Sequence, residues 1–279
     1  MIEFMEKQLE NPLIASSCIA TENVTNVLRL VENGVHGVIL KSCADYERGE
    51  FTGKREFAVR DGYTYASAPF ESEILTLDEC LQMMYDLRTQ TKILIIPSFT
   101  SASLSPEDWI PACKKLEEAG ADGIQLDFFY MGNLIGTDKL SERIVTLLRK
   151  LNAELHIHVM PKLNINLPKD WIIPLLIEAG IEYVSLLDSV RSPYLRKSDG
   201  VYHISERLDA ETTSCFGHWQ LPLTIGYTYT AAKLGLKVCA GGGITCADDV
   251  QKLIGAGAAT VQTATYLTKF PTKSRNLIV

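Results

Sequence analysis

A chain of 279 residues, 46% of them hydrophobic, can bury one substantial core, and a net charge of −7 without a dense run of Lys or Arg offers nucleic acid no electrostatic footprint. No apolar stretch approaches the ~20 residues of a membrane span, and the charged opening stretch Met1–Pro12 lacks the apolar run of a secretory signal. Seven scattered cysteines without a C-x-x-C pair argue for reduced thiols rather than a disulfide or zinc scaffold. The expectation is therefore one cytoplasmic α/β domain over 1–279, with no metal centre and with neither nucleic acid nor membrane as partner.

Eight short apolar runs follow in chain order: Pro12–Ser16, His36–Lys41, Lys92–Pro97, Gly123–Phe128, His156–Lys162, Glu182–Leu187, Lys237–Ala240 and Ala259–Thr263. Most are rich in Ile, Val and Leu, as strands buried on both faces are. Helical patterns lie between them over Glu22–Glu32, Leu77–Thr89, Pro106–Ala119, Lys139–Leu151, Lys169–Ala179 and Ala247–Ile254. Thr76 and Ser105 stand as N-cap residues before acidic first turns, and Pro106 occupies a first helical position. Gly34, Gly120, Gly180 and Gly257 each sit where a helix hands over to a strand, the place for a left-handed C-cap. This alternation predicts a (β/α)₈ TIM barrel, and the G-x-G-x-x-G of a Rossmann fold is absent.

Two connections are too long for plain turns, Ser42 to about Leu75 and Asp188 to about Thr224. Both follow strand ends, where barrels build their active sites. After the eighth strand only Tyr266–Val279 remains, so the last helix is expected to be short or missing. A partner subunit, with a homodimer as one form, or the long loops would then compensate.

The strongest local signal is Ala240-Gly241-Gly242-Gly243-Ile244-Thr245, answered after the next strand by Gln262-Thr263-Ala264-Thr265. Small residues ending strands seven and eight let backbone N–H groups approach an anion, at the usual phosphate site of barrels. A glycine turn without a ligand is the plain alternative. Lys41 and Lys162 end strands two and five, where a lysine points toward the mouth; either alone could equally be a rim salt bridge, and together, facing a phosphate site, they favour an anionic or electron-accepting ring between them. His156 and His158 share a strand face near its start, the wrong end for a metal site, and Cys18 reads as packing.

In this order and spacing the residues resemble the class 1 dihydroorotate dehydrogenase family of FMN-dependent barrels. The resemblance runs from Asn11 to about Leu267. It rests on Asn11-Pro12, Ser16-Ser17, Ile39-Leu40-Lys41-Ser42, Ala121 to Asp127, Pro161-Lys162-Leu163, Gly242-Gly243-Ile244, and Gly257-Ala258 with Gln262 to Thr265. It implies FMN as cofactor, held by Ser16, Ser17, Lys41, Ser42, Asp127, Lys162, Ser189, Gly242, Gly243, Ala264 and Thr265. Lys162 would lie near the pyrimidine edge, where a positive charge favours the reduced ring.

Departures accompany these matches. The family's Cys or Ser base is matched by Tyr130, its strand-six Asn by Asp188, and its Asn-rich turn by Tyr65-Ala66-Ser67-Ala68-Pro69-Phe70. Ionised Asp only accepts hydrogen bonds whereas Asn also donates. The expected substrate is then a small hydrogen-bond donor, an amine among the candidates, rather than dihydroorotate. Either both carboxylates face it, or Asp127 pairs with Lys41 or Lys162 and Asp188 alone does, or both carboxylates merely balance the lysines. Tyr130, Lys41 and Asp188 are the candidate catalytic residues. A phenol is a competent acid but a poor base near neutrality, which favours the reductase direction. Electrons would come from an external donor or go to an external acceptor. Two other readings stand: a non-redox lyase or synthase taking a phosphorylated substrate, and a catalytically altered flavin-binding interaction protein.

Overall fold

The computed structural model describes residues 1–46, 56–60, 63–67, 74–128, 139–191 and 213–278, with 56–60, 63–67, 191 and 213 described as backbone. Eight parallel strands form the centre. They are β1 (Leu13–Ala15), β2 (Gly37–Ile39, resuming at Cys43–Ala44), β3 (Leu94–Ile96, resuming at Ser98–Phe99), β4 (Gly123–Asp127), β5 (His158–Lys162), β6 (Tyr183–Leu186), β7 (Lys237–Gly241) and β8 (Ala258–Thr263). Each pairs with its chain neighbours, β8 pairs back with β1, and β2 meets β3 both at Gly37↔Leu94 and at Cys43↔Phe99. The sheet thus closes on itself as a (β/α)₈ barrel, which leaves no open edge in the ring.

A helix follows every strand: α1 (Val24–Glu32), α2 (Leu77–Gln90), α3 (Pro106–Glu118), α4 (Leu140–Glu154), α5 (Lys169–Glu178), α6 (Leu221–Lys233), α7 (Ala247–Gly255) and α8 (Thr265–Lys269). The expected glycine junctions are all left-handed, with φ of 93° at Gly34, 88° at Gly120, 78° at Gly180 and 103° at Gly257. Thr76 caps α2 by accepting from Glu79 N while Glu79 accepts from Thr76 N. Ser105 precedes α3 but turns its hydroxyl to the Glu107 carboxylate instead of the helix backbone. α6 was not expected. Its sequence is apolar nearly all round and interrupted by Gly226, so it shows no helical period.

The two long excursions after β2 and β6 meet in one antiparallel sheet ordered Val190–Arg191, Thr213–Phe216, Tyr63–Ser67, Glu56–Arg60. The last helix is short, as expected, at five residues. The tail beyond it returns to the N-terminal end of the barrel. There Ser274–Leu277 docks at the α1–β2 junction, Ser274 donating to Asn33 O and Leu277 buried. The chain itself therefore covers part of the surface that a long last helix would have covered.

The barrel interior is layered. At the N-terminal end an antiparallel hairpin, Ile2–Phe4 with Lys7–Leu9, inserts Phe4, Met5 and Leu9 beneath Ile14, Ile39, Leu94, Ile96, Met160, Tyr183 and Cys239. Above this apolar plug lies a polar layer, and charged groups line the opposite mouth.

Candidate functional site at the barrel mouth

Alternation along each strand decides what reaches the mouth. On β4, Gln125 and Asp127 share a side while Leu126 joins the outer core. On β5, Met160 belongs to the inner cluster and Lys162 follows two positions later. Asp127 and Lys162 are register partners across the β4–β5 ladder. Lys41, just beyond the first piece of β2, is 7% exposed, Lys162 8% and Asp127 2%.

Lys162 Nζ stands 3.0 Å from Asp188 Oδ2. Burial pulls the ammonium downward, but the carboxylates of Asp188 and Asp127 outweigh it, and Lys162 is held above the ordinary lysine range. Asp188 is fixed in turn. Its N–H donates to Leu163 O at 2.9 Å, its carbonyl accepts from Gln220 Nε2 at 2.9 Å, and its Oδ1 accepts from Ser189 N at 2.7 Å. Of the pairings the sequence left open, the structure places Lys162 in an ion pair with Asp188, the strand-six carboxylate, with Asp127 beside it.

The serines are also engaged. Ser16 donates to Gln262 Oε1 at 2.8 Å, Ser17 and Ser42 hydroxyls lie 3.2 Å apart, and Ser42 donates to Asp127 Oδ2 at 2.7 Å. Ser189 Oγ donates to Asp188 Oδ1 at 3.4 Å. Burial pushes the Cys18 thiol up against the opposing pull of Thr268 and both lysines, so it stays a neutral thiol.

On the other side of the mouth, Gly241 and Gln262 are register partners, which brings the loops after β7 and β8 side by side. Gly242 and Gly243 have φ of 98° and 91°. A Cβ on Gly242 would meet Leu187 O at 3.0 Å, and one on Gly243 would meet Leu221 Cα at 3.0 Å. Packing against β6 and α6 alone thus requires glycine at both positions. The cradle is supported by the adjacency of the two loops rather than by the glycines. Asp249, buried on α7, accepts from Thr245 N at 2.9 Å, Thr245 Oγ1 at 2.8 Å and Cys246 N at 3.3 Å. Burial raises this carboxyl, yet these donors and His218 outweigh it and hold it below the ordinary carboxylate range. His218 Nδ1 lies 2.8 Å from Gly243 O, a further tie on the glycine loop.

Tyr130 and the stretch Ala68–Phe70 lie outside the described residues, and Tyr65–Ser67 are backbone in the excursion sheet. Sequence reading gave no role to Gln125 and Gln262, which it met only inside longer motifs, and passed over Ser98 and Ser185; all four are buried within the barrel. Their signal was available: each is a polar residue in an otherwise apolar run whose two faces are both covered.

The donor chemistry suits a phosphate-bearing, electron-accepting ring. Two buried lysines and a row of hydroxyls stand beside adjacent small-residue loops. Among the described residues no group of three or more His, Cys, Asp or Glu could hold a metal ion, and no helix is long and apolar enough to cross a membrane.

No family model matches the chain. Two proteins described as the catalytic subunit of dihydroorotate dehydrogenase B (NAD(+)), from Thermoplasma acidophilum and Thermoplasma volcanium, are 26% and 25% identical over 269 residues. The alignments cover 93% and 94% of this chain and 84% and 85% of theirs. The crystal structure of DHODH from Eimeria tenella in complex with ferulenol superposes with a TM-score of 0.75 at 13% identity, covering 99% of this chain and 81% of that one. That last likeness bears on the fold alone. Along nearly its whole length the chain is thus similar in sequence to dihydroorotate dehydrogenase B catalytic subunits, and it shares its barrel fold with the Eimeria structure.

Proposed function

We propose that this chain is an FMN-dependent oxidoreductase that reduces a small hydrogen-bond-donating substrate other than dihydroorotate. The observation that carries the reading is the buried Lys162–Asp188 pair beside Asp127, at the C-terminal end of the barrel where such folds work. Lys41, Lys162, Ser16, Ser17, Ser42, Asp127 and Ser189 would border the ring. The loops at Gly242-Gly243 and Ala264-Thr265 would hold the phosphate. FMN, when bound, supplies hydride-transfer chemistry. Lys162 contributes a fixed positive charge that Asp188 orients. Tyr130 is proposed as the proton donor to substrate. Asp188, with its neighbour Ser189, presents acceptor oxygens at the mouth, which suits a donor such as an amine and disfavours the acceptor groups of a pyrimidine. Electrons would be exchanged with an external small molecule or protein.

The test is the absorption spectrum of protein purified under native conditions. Flavin bands at about 370 and 450 nm are expected, with no robust oxidation of dihydroorotate, the reaction named for the relatives. A colourless protein that does not take up added FMN would overturn the reading and favour a non-redox barrel enzyme.

A further inference from the structure

Beneath the mouth, a hydrogen-bonded chain crosses the barrel from β8 to β4. Ser16 Oγ donates to Gln262 Oε1, and Gln262 Nε2 donates to Ser185 Oγ at 2.6 Å. Ser185 Oγ donates to Gln125 Oε1 at 2.9 Å, and Gln125 Nε2 donates to Ser98 Oγ at 2.8 Å. Ser98 and Ser42 hydroxyls lie 3.0 Å apart, and Ser42 donates to Asp127 Oδ2 at 2.7 Å. All six links are made by buried side chains.

The direction of this chain is determined at both ends. Gln262 Nε2 also faces Leu186 O at 3.1 Å and Cys239 O at 3.2 Å, two carbonyls that can only accept. Turning the amide over would set its oxygen against both, so Nε2 stays where it is. At the other end the Asp127 carboxylate, when ionised, can only accept. Each serine between has one proton, and every link is then satisfied at once only with Ser185 donating to Gln125 and Ser98 to Ser42. Every donor therefore points toward Asp127, and bonds aligned head to tail strengthen one another.

We propose that Gln125 and Gln262 are positioning residues which, through this one-way chain, hold Asp127 as a carboxylate and thereby keep Lys162 charged in the buried mouth. A proton on Asp127 Oδ2 would turn the Ser42 hydroxyl away from it and cost the chain its last, charge-assisted bond. Among the described residues, Lys162 on β5 interacts with Asp127, with Asp188 after β6 and with Cys18 after β1, and Lys41 beside β2 interacts with Cys18. The lysines act in the same sense as the chain, and Asp188 acts against it. The proposal deepens the role given to Lys162 above, but its test needs no flavin.

The experiment is ¹³C carboxyl NMR of selectively labelled protein, following Asp127 through a pH titration in the wild type and in Gln262→Met. Met keeps much of the volume but removes the donor that starts the chain at Ser185, so the bonds that reach Asp127 through Gln125, Ser98 and Ser42 lose their head-to-tail support. Asp127 should then titrate about one pH unit higher, the scale of one weakened hydrogen bond to a charged group. Gln125→Met should act in the same direction. Ile14→Val, a packing change in the apolar layer below, should leave the titration unmoved. An Asp127 titration unaltered in a folded Gln262→Met protein would overturn the proposal, as would an equal shift in Ile14→Val. If Gln262→Met does not fold, Ser185→Ala, which removes the same link with a smaller change, decides in its place by the same criterion.

Discussion

Lys162 shows how much one side chain decides at the mouth. A buried ammonium is expensive unless it is paired, and here two carboxylates make the charged form the stable one. Lys162→Met would leave both carboxylates without that partner. The expected loss is about 3–5 kcal/mol in urea unfolding at neutral pH, the range for removing one partner of a buried pair. The pH dependence has a definite sign. Because the folded lysine titrates above the ordinary 10.5, its contribution is complete below that pH and is lost as pH rises through the folded value. The stability gap between wild type and variant should thus stay level near neutrality and narrow only on the alkaline side. A gap that closes between pH 6 and 8 would contradict the pairing. If FMN binds, the same variant should lower the flavin midpoint potential more than it weakens binding, since the charge matters most to the reduced ring. Much of this site was legible in the sequence, because lysines at strand ends are conspicuous in apolar runs. Which carboxylate takes Lys162 was not, since Asp127 and Asp188 are 61 positions apart in sequence and only strand register sets their distances.

At the scale of elements, punctuation was more readable than periodicity. The four glycines ending α1, α3, α5 and α7 reveal the βα rhythm because a left-handed φ leaves few residues to choose from. α6 and the N-terminal hairpin escaped for opposite reasons. α6 is apolar on most sides and so carries no stripe. The hairpin turns through Met5 and Glu6 at φ of 48° and 59°, with none of the Asn-Gly chemistry that marks such turns. The glycine junctions also differ in what surrounds them, which makes them separable. A Cβ at Gly120 would meet only Arg88 Nε at 3.9 Å, whereas one at Gly257 would lie 2.6 Å from Ala232 Cβ on α6. Gly120→Ala should cost about 1 kcal/mol, from the left-handed backbone alone. Gly257→Ala adds a collision between α6 and the turn after α7, and should cost about 2–4 kcal/mol in total. Equal losses in thermal or urea unfolding would show that α6 yields without penalty.

Across the whole molecule, the barrel interior divides its work along its axis. The mouth gathers charges and a polar layer that contribute little net stability, because each polar group gives up water to be there. The plug at the other end is apolar throughout. Phe4 is fully buried, sets its ring edge-on to Tyr183 at 5.1 Å and 89°, and shares its cluster with residues from β1, β2, β3, β5, β6 and β7. Gly123 opens β4 where Met5 needs its space, since a Cβ there would run into the Met5 sulfur. Stability can therefore be altered at the plug without touching the charges of the mouth. Phe4→Ala should leave a cavity that the closed ring of strands cannot collapse around, at a cost of about 3–5 kcal/mol. The Lys162–Asp188 pair lies at the opposite end of the strands, so its alkaline titration should be unchanged in the same variant. Urea unfolding measures the first expectation and lysine-selective ¹⁵N NMR the second. A loss below about 1 kcal/mol would mean that the hairpin detaches before the barrel unfolds. A shifted lysine titration would mean that the two ends are coupled through the polar layer, and that the plug sets the geometry of the mouth as well as the stability of the fold.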